Sequence, residues 1–281
     1  MSIRPKRSNT AAAEESRVHP TCSSVCPGGR IHRPLLFLLC LLALLSAGCV
    51  RLIGSRPDGP WYESYQPIND KASEEFVVEA QDEAVGMFGE PVVPVNQVIL
   101  RRSRKSEAAR FYSLAEDFSL TECLDEENGI FVIYIGVDPD HENYYALLGH
   151  ECAHLLNPFI TDWYMEGLAT LFSEWVCEEL GKDWGSWAQR FERSQRDPYA
   201  VSYRMMQQLH AAFPAAYYRI PRFAVVNGRN GPWRQVDIDA WIGTLATTEQ
   251  AAAREIIGSS ASVLRKHTNR QYGFAVPKDL K

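Results

Sequence analysis

The stretch ALLGHECAHLLNPFITDWYMEGLATLFSE, residues 146–174, holds two histidines four positions apart and, twelve positions after the second, a glutamate followed by glycine. An α-helix turns once per 3.6 residues, so His150 and His154 project from one face about one turn apart. Their ring nitrogens can therefore reach one metal ion. Glu151 falls on the neighbouring face, where it can hydrogen-bond a water held by that ion without being a ligand. Ala153, Leu155 and Leu156 read as the side that packs inward. Asn157-Pro158 ends this helix, and Asp162 reads as the N-cap of the next. The loop between them lets the second helix fold back across the first and brings Glu166 into play near its start. A catalytic zinc needs a third protein ligand and an open position; Glu166 is the expected third ligand, ahead of Asp162 and Glu174.

H-E-x-x-H followed by W-x-x-E-G-x-A resembles the gluzincin metallopeptidases, in particular the bacterial peptidase-MA-like group. The matching residues are His150, Glu151 and His154, then Trp163, Glu166, Gly167 and Ala169. A metzincin would place a histidine six residues after His154, and that place is Ile160. The resemblance covers residues 150–174 in motif and roughly 72–215 in arrangement. It implies a zincin-like fold in which an edge strand precedes the active-site helix. It also implies that His150, His154 and Glu166 hold Zn²⁺, with Glu151 as general base in peptide-bond hydrolysis. The gap between the second histidine and the glutamate is shorter than in the well-known aminopeptidases. No G-x-M-E-N stretch lies upstream, so an endopeptidase is favoured over an aminopeptidase.

Gluzincins draw a further oxyanion donor from a downstream Tyr or His. In DPYAVSYRMMQQLHAAFP the expected donor is Tyr203, with Tyr199 and His210 as alternatives. Thr170, Ser173 and Glu174 lie on the Glu166 helix and could orient a histidine N–H. Cys152 reads as a compact buried filler rather than a nucleophile.

Working outward, ASEEFVVEAQDEAVGMF (72–88) sets Phe76, Val77, Ala80, Ala84 and Met87 at helical spacing, and Gly89 and Pro91 stop it. VVPVNQVILRR reads as a strand centred on Val98, Ile99 and Leu100, and 106–118 as a second helix with a Ser cap. A loop containing DEENG leads to IFVIYIGV (130–137), a nearly continuous β-branched and aromatic run that reads as a strand. Beyond 160 the pattern is helical over 162–180, 183–195, 200–213, 237–243 and 247–266. The expected fold class is α+β: a small mixed sheet with helices in 71–160, carrying the H-E-x-x-H helix, then a mostly helical 161–281 carrying the third ligand.

Residues 1–48 have a different character. Six basic residues precede an apolar run from Leu35 to Leu45, too short to span a bilayer but suited to the core of a secretory signal. The run ends in Ser46-Ala47-Gly48-Cys49, which resembles the lipobox of bacterial lipoproteins. That resemblance implies acylation of Cys49, a membrane anchor and a cell-envelope location, with Val50 favouring the outer membrane of a diderm cell. Residues 49–70, rich in Pro, Gly, Ser and Tyr, read as a tether. Cleavage would remove six of 29 basic and two of 35 acidic residues, leaving a net charge of −10. A chain this acidic, with no basic face, is a poor partner for nucleic acid. The cysteines beyond Cys49 are Cys123, Cys152 and Cys177, with no CxxC spacing for a structural zinc site and no pairing that the sequence names. The expected function is a zinc metallopeptidase acting on peptides or proteins outside the cytoplasm. The alternative is a non-catalytic zinc-binding envelope lipoprotein that holds a partner in the same cleft.

Overall fold

Strand β4, Ile130–Ile135, is an interior strand of the four-stranded sheet, and its composition suits it to that place. Alternate residues of a strand face opposite sides of a sheet. Phe131, Ile133 and Ile135 enter the main core under the helices, whereas Val132 and Tyr134 enter a second cluster on the other face. A strand covered on both faces reads as a continuous apolar run.

A computed structural model describes residues 61–105, 114–227, 231–269 and 272–280. The signal expected in 1–48, the lipidation expected at Cys49 and the tether expected as far as residue 60 lie outside them. The described residues all belong to a single compact unit. The described part is mixed α+β: a four-stranded sheet in the order β1-β2-β4-β3, a two-stranded hairpin and eight α-helices. Strand β1 is Tyr65–Pro67, β2 is Gln97–Lys105 and β3 is Leu120–Asp125. β2 and β4 run parallel, with Ile99 opposite Val132, while β1 and β3 are antiparallel to their neighbours. The hairpin is β5, Ala224–Val226, with β6, Arg234–Val236. No helix among the described residues is long and apolar enough to cross a membrane.

Helix α1, Lys71–Phe88, starts at Asp70, whose carboxylate accepts from Ser73 N at 2.9 Å. It ends at Gly89, at φ 83°, where a Cβ would collide with the Arg222 guanidinium. That guanidinium donates to the Phe88 carbonyl and so satisfies the helix end. The central helices are α2, Tyr144–His154, and α3, Trp163–Glu179. Then come α4, Trp187–Arg193, α5, Pro198–Ala212, and the single turn α6, Pro214–Tyr217. Helices α7, Ile238–Gly243, and α8, Thr247–Leu264, complete the set.

The structure departs from the sequence reading in several places. Residues 61–67, expected as the end of a tether, fold onto the sheet because Tyr134 needs cover on its outer side. Trp61 stacks on it at 5.3 Å and Tyr65 meets it edge-on at 5.0 Å. Of the helix expected over 106–118, residues 106–113 lie outside the described part, and 114–118 form a bend and turn. Strand β3 stands where a loop is expected, because Glu122 and Asp125 interrupt its apolar pattern. As the last strand of the sheet it pairs on one side only, with β4. Helices α2 and α3, one from each side of residue 160, pack closely against each other.

Two glycines let the helices around Glu166 and His150 approach closely. A Cβ on Gly167 would lie 2.5 Å from the Ser202 carbonyl oxygen on α5 and 2.8 Å from Met206 Cγ. One on Gly149 would lie 3.0 Å from Val176 Cγ1 on α3. Gly167→Ala should therefore destabilise the protein by about 1–3 kcal/mol, because the backbone clash outweighs the gain in helix propensity of about 1 kcal/mol. Gly86, on α1 with nothing within 4 Å of its Cβ position, provides the opposite case. Gly86→Ala should stabilise by about 0.5–1 kcal/mol. Urea unfolding of both variants checks the pair, and shifts of the same sign would contradict this packing.

Candidate metal centre

Helices α2 and α3 bring His150, His154 and Glu166 together in the buried layer between them. His150 and Glu166 are 5% and 6% exposed. The second helix is set by Asp162, which is fully buried and accepts from Met165 N at 3.0 Å and from Val236 N at 2.5 Å. Asp162 is thus the N-cap, committed to backbone donors, and Glu166 sits one turn further along, its N–H on the Asp162 carbonyl at 3.1 Å.

The ligand atoms converge. His150 Nε2 lies 3.2 Å from Glu166 Oε2, His154 Nε2 lies 3.3 Å from His150 Nε2, and His154 Nε2 lies 3.7 Å from Glu166 Oε1. Atoms placed tetrahedrally about 2.0–2.1 Å from a common ion stand about 3.3–3.4 Å apart. The observed spacing fits that cage, with three protein donors and a fourth corner left for another group. These residues could hold a metal ion.

Thr170 sets the histidine tautomer. Its hydroxyl donates to the Glu166 carbonyl at 2.8 Å, one turn back on the same helix. Having one proton, it accepts from His150 Nδ1–H at 3.2 Å. The Nε2 lone pair of His150 then faces the cage. Of the three orienting residues named from sequence, Thr170 alone meets a histidine. Ser173 accepts from Trp184 Nε1 at 2.9 Å, and Glu174 accepts from Tyr203 Oη at 2.6 Å.

Glu151 is 5% exposed and points toward the sheet. Thr121 Oγ1, on β3, stands 2.8 Å from the Glu151 carbonyl oxygen and 2.9 Å from its Oε2, and so fixes the carboxyl group from the strand side. Burial pushes Glu151 up to about 8, opposed by Thr121 and assisted by the neighbouring Glu166. Burial holds His150 down at about 3 and His154 at about 4, with Glu166 partly offsetting the latter. Glu166 is also raised by burial and lowered by His154. Two neutral imidazoles and a buried carboxylate form a donor set that a cation would complete.

The imidazole shifts have a thermodynamic consequence. In the metal-free protein both groups bind protons in the unfolded chain near pH 6.5 but in the fold only near 3 and 4. Stability is therefore retained above 6.5 and lost as pH falls below it, by about 2 kcal/mol per histidine between pH 6.5 and 4.5. Glu151 acts with opposite sign, its contribution present below about 4.5 and lost as pH rises through about 8. A His150→Gln/His154→Gln variant, stripped of metal, isolates the histidines: its urea midpoint should fall less over that interval than the parent's. Equal falls would contradict the assigned burial.

Tyr203 does not reach the cage through any hydrogen bond found among the described residues. Its hydroxyl lies between Glu174 and Gln207, and its ring packs with Trp184 and Phe191. His210 pairs with the Tyr218 hydroxyl at 2.9 Å. Tyr199, one turn before Tyr203 on α5, is the alternative that the fold brings beside the histidines, with its ring 6.2 Å from that of His150. Burial above all, with Glu166 and Glu151 among the groups that add to it, holds its phenol protonated. Sequence reasoning missed Thr121, Trp187, whose ring lies 6.0 Å from His150, and Tyr272, whose hydroxyl is 3.4 Å from that of Tyr199. The alternating residues of β3 are a usable signal for Thr121; Tyr272, in the C-terminal segment, carries none.

All three cysteines of the described part, Cys123, Cys152 and Cys177, are free. Cys152 is fully buried, and burial drives its thiol well above the ordinary range, which fits a filler rather than a nucleophile. Compared with family models, with curated proteins and with solved structures, the chain finds no match.

Proposed function

We propose that the chain is a zinc-dependent metallopeptidase with a gluzincin-type centre on a zincin-like fold, anchored in the cell envelope through Cys49. The observation that carries this reading is the convergence of His150, His154 and Glu166 to 3.2–3.7 Å, with Glu151 adjacent but turned to Thr121. Two imidazoles and one carboxylate with a free corner suit catalytic zinc. Zinc bound there supplies Lewis acidity, lowering the pKa of a water to about 7 and polarising a carbonyl oxygen.

The chain's own residues do the rest. Glu151 takes a proton from the attacking water as the new C–O bond forms, then delivers it to the leaving nitrogen as the C–N bond breaks. Thr121 holds that carboxyl group in place from β3. Thr170 keeps His150 in the tautomer that ligates. Tyr199, whose ring lies 6.2 Å from that of His150, takes in this reading the role of donor to the oxygen on which negative charge develops, instead of Tyr203. The substrate is a peptide or protein, and location outside the cytoplasm follows from reading residues 35–49 as a lipoprotein signal.

Cleavage of unfolded casein by the purified, zinc-loaded protein tests the reading. Activity should disappear on chelation and return with zinc. Stoichiometric zinc without cleavage of casein or of a broad peptide library would favour a binding module instead.

A further inference from the structure

The C-terminal segment does not simply trail away from the fold. Gly273 N donates to the Thr161 carbonyl at 2.9 Å, and Trp163 N donates to the Gly273 carbonyl at 3.0 Å. Tyr164 Oη donates to the Ala275 carbonyl at 2.6 Å, and the Tyr164 ring stacks on Phe274 at 5.1 Å. On the other side Tyr272 N donates to Asn269 Oδ1 at 2.9 Å. This strap is thus fastened to the start of α3, the helix that carries Glu166.

The strap presents Tyr272 to the candidate centre. Its ring stacks on Trp163 at 4.9 Å with planes 26° apart, and Trp163 meets Tyr199 edge-on at 5.3 Å. The Tyr272 hydroxyl is 3.4 Å from the Tyr199 hydroxyl. That distance is at the long limit of a hydrogen bond. Burial above all, with Glu166 and Glu151 adding to it, holds the Tyr272 and Tyr199 phenols protonated. Both hydroxyls can therefore act as donors at neutral pH.

We propose that Tyr272 is a positioning residue: its hydroxyl donates to the Tyr199 oxygen, so that the Tyr199 O–H is aimed at and polarised toward an anionic oxygen bound beside His150. The chemistry is that of a hydrogen-bond chain, in which each donor strengthens the next. A lone Tyr199 hydroxyl could rotate away, and Tyr272 removes that freedom. The C-terminal strap is then part of the active centre, although it lies more than a hundred residues from the metal-binding motif. This inference rests on the metal-centre reading above.

The test uses the full chain loaded with zinc and acetohydroxamate, a small oxygen ligand for an open zinc position, with affinity read by calorimetry. Tyr272→Phe keeps the ring that stacks on Trp163 and removes only the hydroxyl. It should leave zinc affinity unchanged and weaken acetohydroxamate binding about three- to tenfold. Tyr199→Phe should weaken it about tenfold or more, and the double variant should be no weaker than Tyr199→Phe alone, because Tyr272 acts through Tyr199. Unchanged binding in Tyr272→Phe, or losses that multiply in the double variant, overturns the inference while the metal centre stands. A parent protein that binds no zinc overturns both.

Discussion

Glu151→Gln should abolish proteolysis, by roughly 10²–10⁴-fold, while leaving zinc content at the parental level. The substitution keeps the size and reach of the side chain, so Thr121 can still hold it from β3. What it removes is basicity. Glu151 makes no contact with the cage among those found; its bonded partner is Thr121, 2.9 Å from Oε2. The ligand atoms of His150, His154 and Glu166 should therefore stay where they are. Zinc measured by plasma mass spectrometry and casein cleavage on the same preparation check the two halves together. A Glu151→Gln variant that cleaves like the parent removes Glu151 from the base role. Loss of zinc along with activity would mean that Glu151 supports the cage itself.

The second large effect concerns the third ligand. Glu166→Ala should strip the protein of zinc at micromolar free metal, whereas Glu174→Ala should leave zinc content intact. Glu166 contributes the only carboxylate of the cage, 6% exposed and within 3.2 Å of His150 Nε2. Glu174 lies two turns further along α3, where it accepts from Tyr203. Its removal takes the acceptor from the Tyr203 hydroxyl, which still accepts from Gln207, and changes nothing at the metal. Dialysis against buffered zinc followed by metal analysis separates the two variants. The reverse pattern would overturn the ligand assignment.

How much of this is legible in the sequence depends on distance along the chain. His150, Glu151, His154 and Glu166 lie within seventeen residues, and helical periodicity with one short loop is enough to bring them together. The Asp162 cap follows the same local logic. Thr121 escapes a reading of the sequence because β3 pairs only on one side and mixes Glu122 and Asp125 with apolar residues, which blurs its period-two pattern. The choice of Tyr203 over Tyr199 turns on a single helical turn of α5. Rotation and register of that helix are set by the packing of Gly167 against Ser202, which no pattern within 198–212 contains. Tyr272 is placed by backbone pairing of the adjacent Gly273 with Thr161 and Trp163, an interaction between segments whose sequences carry no mark of each other. The cover of Tyr134 by Trp61 and Tyr65 is of the same kind.

The central claim is that the layer between α2 and α3 holds a three-ligand zinc site, and zinc X-ray absorption on the reconstituted protein tests it most directly. One zinc per chain is expected, surrounded by about four nitrogen and oxygen neighbours at about 2.0–2.1 Å, with the outer-shell scattering of two imidazole rings. A sulfur shell at about 2.3 Å, a single imidazole, or zinc far below one per chain would contradict the account.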